Sequence, residues 1–132
     1  MDRRLYKRTV VDLMSNFIVK PNEPGFFEFE GKIYDISECG IKVLVEGENA
    51  KTILDKIKLD DKIAFQSIDE YVLFNEKRTD IFQGDAKVIR ISEDDNKVVI
   101  GCKIDRMTEE VEEYIKNKKM SLFFELGCNT LI

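Results

Sequence analysis

Histidine is absent from this 132-residue chain. That removes histidine general bases, Ser-His-Asp triads and histidine-ligated metals from consideration. Cysteine is scarce: Cys39, Cys102 and Cys128 stand far apart, with no C-x-x-C pair. Three isolated thiols give neither a disulfide framework nor a four-thiolate zinc site, so small buried or half-buried residues are expected at all three. Two prolines and seven glycines exclude a collagen-like or linker-rich chain. The longest apolar run is four residues, 71–74, too short to cross a bilayer as a helix. No apolar run follows the basic N-terminus, so a secretory leader is not expected. Membrane insertion is therefore not expected, and a cytoplasmic location is.

What remains is a charged, apolar-rich chain: 43% hydrophobic and 36% charged residues. One domain with one core is expected at this length. The net charge of −5 is unevenly placed. Arg3, Arg4, Lys7 and Arg8 against Asp2 give residues 1–8 a charge of +3, which leaves −8 for the other 124. An acidic body repels a nucleic-acid polymer, whose affinity comes from clustered cations. A short basic arm suits a small anion better. Residues 1–8 are read as a flexible basic N-terminal arm and 9–132 as a single folded unit.

Alternation of period two dominates the body. In Gly40–Glu46, Ile41, Val43 and Val45 share a face; in 97–104, Val98, Ile100, Cys102 and Ile104 do. Thr9–Lys20, 26–34, 62–68 and 85–91 are also strand-like. Residues 76–80 read as a hairpin tip and 92–96 as a second polar turn; Pro21, Asn22, Pro24 and Gly25 form a loop. Six or seven such strands imply a barrel or sandwich, and a barrel removes exposed edges. The period changes after Thr108, a plausible N-cap followed by Glu109 and Glu110. One helix is expected over about 108–119, with Met107, Val111, Tyr114, Ile115 and Leu122 as its apolar stripe. The apolar tail, with Phe123 and Phe124, is expected to pack on the core, the alternative being a partner-facing patch. The fold class is all-β with a C-terminal helix.

Two motifs could carry chemistry. Arg4 and Arg8 form R-x-x-x-R, with Arg3 before it; Asp35, Ser37 and Gly40 form D-x-S-x-x-G between two strands. Guanidinium forks pair with phosphate, grip the guanine O6/N7 edge and stack on purines. A carboxylate at Asp35 can accept from guanine N1–H and N2, Ser37 can donate or accept, and Gly40 permits positive φ or close approach. Each motif alone also fits a solvated terminus or an ordinary turn. Together they make a receiver for an anionic guanine nucleotide. An enzyme is not expected: the chain has no metal cluster, no phosphate-cradling G-x-x-x-x-G-K loop and no histidine.

On these motifs the sequence resembles the PilZ domain family, bacterial receptor modules for cyclic di-GMP. Arg4 and Arg8 match its R-x-x-x-R, and Asp35, Ser37 and Gly40 match its [D/N]-x-S-x-x-G. Residues 40–43, 59–63, 85–90 and 99–104 resemble later strands and turns of the family, with Asp61 where a glycine is usual. The resemblance implies a six-stranded antiparallel β-barrel followed by a helix, and an arm that folds over bound ligand. It implies cyclic di-GMP as ligand, no other cofactor, and a protein effector as partner. It makes Arg3 compatible with gripping a second, stacked ligand. Only three residues precede Arg4, so no fused N-terminal domain is expected. Glu38, inside the motif, is expected to weaken anion binding. The rival expectation is a module of the same fold that binds protein but no nucleotide.

Overall fold

The computed structural model describes residues 9–21 and 24–130, with side chains as far as Phe124. Arg3, Arg4, Arg8 and the expected arm lie outside the described residues. The elements run β1 (Thr9–Lys20), β2 (Phe27–Ile36), β3 (Gly40–Glu46), α1 (Glu48–Lys56), β4 (Lys62–Leu73), β5 (Glu76–Asp94), β6 (Lys97–Arg106) and α2 (Glu109–Thr130). Six antiparallel strands close into a barrel in the order β1-β2-β3-β6-β5-β4.

Alternation builds the barrel. Along β1 every second residue is buried, from Thr9 to Val19, and the residues between face out. The ring is closed by β1 on β4, from Ser15 opposite Ser67 to Lys20 opposite Lys62. The two serine hydroxyls bond each other there at 2.5 Å, which satisfies a polar pair inside the wall. The long strand β5 pairs with β4 in its first part and β6 in its second. Register shifts at Asp85/Ala86 and Val88/Arg90 give the bend this needs. Phe17 stacks on Phe29 at 4.9 Å and Phe82 on Tyr114 at 4.2 Å, so aromatic rings fill the lumen.

Two turns differ from expectation. The β4–β5 hairpin turns at Phe74 and Asn75, both left-handed (φ 52° and 64°), between paired Leu73 and Glu76. Residues 76–80 therefore belong to β5 rather than to a tip. The β5–β6 turn narrows to Asp95 and Asn96, also left-handed (φ 50° and 65°). Both are two-residue turns whose twist matches the strands they join. At the residue where a glycine is usual, Asp61 is nearly fully buried, and its carboxylate accepts from the Lys58 amide at 2.9 Å. The left-handed residue is Asp60 instead (φ 73°), so an aspartate at 61 closes the turn that leads into β4.

The helices stopper opposite ends. After β3, α1 tucks Ala50 and Ile53 into the end where β2 begins, and Lys56 lies 5.6 Å from the Phe27 ring centre. The sequence reading contained no helix here. At the other end α2 starts on a true cap: the Thr108 hydroxyl accepts from the Val111 amide at 3.3 Å. Val111, Tyr114 and Ile115 are buried as the stripe requires, while Met107 and Leu122 are half-buried. The helix runs on to Thr130 rather than stopping near 119. In that extension Met120 packs against the core, whereas Phe123 and Phe124 are exposed, Phe124 standing edge-on to exposed Phe74 at 5.1 Å.

Candidate functional site

The D-x-S-x-x-G segment joins β2 to β3 at the α2 end of the barrel. Asp35 is the penultimate residue of β2, half-buried, set in register between Val10 of β1 and Lys42 of β3. Ser37 follows the end of β2 and is buried. Its hydroxyl oxygen accepts from the amides of Cys39 (3.1 Å) and Gly40 (3.2 Å), and its own amide donates to the Gly40 carbonyl at 2.9 Å. A serine side chain thus replaces backbone acceptors in a tight turn. The hydroxyl hydrogen takes no part in these bonds. The turn is also tied to β6, because Ile104 donates its amide to the Cys39 carbonyl at 2.9 Å.

Gly40 serves packing rather than conformation. The left-handed glycines among the described residues are Gly25 and Gly47. A Cβ at Gly40 would collide with the backbone carbonyl of Cys102 on β6, so only glycine lets β3 start this close. Cys102 is buried, and burial pushes its thiol from 9.0 up to about 12. Cys39 is exposed, against the expectation for all three cysteines. Its place at the outer corner of the turn is the reason.

Thr9 opens β1 opposite Ile36, which lies between Asp35 and Ser37. The chain therefore enters the barrel beside the motif, with Arg8 one peptide bond before Thr9. Asp35, Ser37 and Gly40 are brought to one end; Arg3, Arg4 and Arg8 remain outside the described residues.

Sequence reasoning missed a polar brace under α2. Tyr114 donates to Asp69 Oδ2 at 2.8 Å, and Lys118 Nζ lies 2.9 Å from the same oxygen. Lys118 also sits 5.2 Å from the Tyr71 ring centre, and Tyr71 donates to Asp80. Burial, then donation to a carboxylate, pushes both phenols above their ordinary range. The next lysine, Lys119, turns the other way and reaches Glu38 of the motif turn at 3.5 Å. These partners are 81 residues apart, and no local spacing announces them. Among the described residues, no helix is long and apolar enough to cross a membrane, and no acidic or thiol cluster is placed to hold a metal ion.

Known proteins share this architecture. The family described as PilZ domain matches residues 2–118. The Bacillus subtilis inhibitor of motility (MotI/DgrA) superposes with a TM-score of 0.64 at 19% identity, over 96% of this chain and 53% of its own. The PilZ domain of YcgR from Escherichia coli, solved with c-di-GMP, gives 0.60 at 17% identity over 98% of each chain. The Borreliella burgdorferi PlzA protein, in complex with c-di-GMP, gives 0.51 at 17% identity, over 93% of this chain and 52% of its own. The chain spans about half the length of the Bacillus and Borreliella proteins. A sequence search of curated proteins found no match. A match across nearly the whole described barrel, on a ring of six strands with its helix at the motif end, means that the chain belongs to the PilZ domain family.

Proposed function

We propose that the protein is a cytoplasmic receptor for cyclic di-GMP that passes occupancy of its site to a protein effector. The observation that carries this is the entry of the chain at Thr9, opposite Ile36 and so between Asp35 and Ser37. Arg8 and Arg4 are one and five residues upstream. At about 3.4 Å per extended residue, both are within reach of a ligand seated at this turn. The arginines take the phosphates and base edges, with Arg3 on a second, stacked ligand. Asp35 accepts from guanine N–H groups, and the Ser37 hydroxyl hydrogen is left to donate. Gly40 keeps the turn closed. Residues 1–8 order over the ligand, and the arm contributes contacts only in the bound state, which is the differential a switch needs. The effector acts in motility, attachment or polysaccharide synthesis. Binding occurs without turnover; hydrolysis of the ligand by the protein would overturn that part.

Calorimetric titration with cyclic di-GMP tests the reading. Micromolar or tighter binding is expected, weakened at least about tenfold (about 1.4 kcal/mol) by Arg8→Ala and by Asp35→Ala. Slower amide exchange in residues 1–8 on ligand addition is expected. A wild-type protein that gives no binding signal sinks the receptor. It would leave the second reading, a protein-binding module without nucleotide, which the exposed Phe74, Phe123 and Phe124 favour.

A further inference from the structure

Glu38 sits inside the turn proposed to hold the nucleotide, and a carboxylate there opposes a ligand with two phosphates. The bonds around Ser37, Gly40 and Ile104 fix the turn on both sides of Glu38, so its backbone cannot carry the acid away. One carboxylate oxygen, Oε1, meets Lys119 of α2 at 3.5 Å. The other, Oε2, is buried and has no hydrogen-bond partner among the described residues. Both side chains are about one-third exposed, 37% for Lys119 and 30% for Glu38. Charges in that setting still act on a neighbour within the screening length of about 8–10 Å.

We propose that Lys119 is a positioning residue of the nucleotide site that acts through its charge: it neutralises Glu38, and so makes helix α2 part of the machinery that sets ligand affinity. The inference rests on the receptor reading and deepens it. Its logic is charge. The native pair is neutral. Lys119→Met leaves a net negative charge on the turn proposed to hold the doubly charged ligand, Glu38→Gln leaves a net positive one, and the double variant is neutral again. Affinity should follow that order: Glu38→Gln tightest, wild type and double variant together, Lys119→Met weakest. A structural tether behaves differently, because either single change breaks it and both weaken binding.

The test is titration of the four proteins with cyclic di-GMP at low salt and at 0.5 M salt, with thermal melts to verify folding. Steps of about three- to tenfold are expected between neighbours in the order at low salt, shrinking below about twofold at high salt. Lys119→Arg should keep wild-type affinity. Lys116→Met, which removes the same charge from an exposed position one turn earlier, should change affinity less than Lys119→Met. Weaker binding by both single variants, or equal binding by all four, overturns the inference and leaves the receptor standing. If wild type itself does not bind, the receptor reading falls, and the inference with it.

Discussion

At the α1 end the barrel is closed by Ala50, Ile53 and Ile57, all nearly fully buried and all apolar. At the α2 end it is closed by Tyr114 stacked on Phe82, with Asp69, Lys118, Tyr71 and Asp80 beneath the helix. The first closure is held by packing of side chains that carry no charge to screen or titrate. The second holds charges and hydrogen bonds that depend on both. The turn proposed as the ligand site is at the second end. Apolar packing and charge-dependent contacts are therefore assigned to different ends of one small fold.

The largest effect should come from the inert end. Ile53→Ala should cost about 2–4 kcal/mol in urea denaturation, through lost transfer energy and a cavity. Under the receptor proposal, the folded variant should bind cyclic di-GMP as tightly as wild type. An affinity loss matching the stability loss would break the contrast between ends. A smaller effect is expected from Asp69→Asn, about 1–3 kcal/mol, because Lys118, only 15% exposed, loses its counter-charge. No change there would mean that the brace adds nothing beyond the stacked rings.

The smallest and most specific effect is alkaline. Cys102, Tyr71 and Tyr114 all have folded-state values raised above their ordinary ones, by burial first and, for the tyrosines, by nearby carboxylates. Such groups keep their protons in the folded state while the unfolded chain loses them. For Cys102 the contribution is intact well below pH 9, where the unfolded thiol is half-ionised, and is lost as pH rises toward 12; for the tyrosines the loss begins around pH 10. Denaturation midpoints should fall over that window. Tyr71→Phe should flatten the fall, whereas Ile53→Ala should lower every midpoint and leave the slope unchanged.

The strands were legible because half-buried strands write their burial into alternate residues. Gly40–Glu46 has the bounds that alternation gives, and Thr9–Lys20 those that its richness in Val, Ile and Phe gives. The start of α2 was legible from a cap, Thr108, whose bond is local. Three things were hidden. Helix α1 is short and mostly polar; its one signal is the spacing of Ala50, Ile53 and Ile57, which is helical but thin. The β4–β5 tip places apolar Phe74 in a left-handed turn position, where polar residues or glycine are the rule. The exposed end of α2 carries phenylalanines that composition assigns to a core. At the candidate site, the turn at Ser37 could be read from the chain because its bonds span two or three positions. Lys119 and Lys118 could not, because their partners are set only by where the helix lands on the barrel.

One consequence follows from the start of β3. The space opposite Gly40 is taken by the main chain of β6, whatever the mouth of the barrel holds. A chain with this sheet is obliged to keep a glycine here whether or not it binds a ligand. The glycine is thus a demand of architecture, and so is the Ser37 hydroxyl that closes the turn upstream of it.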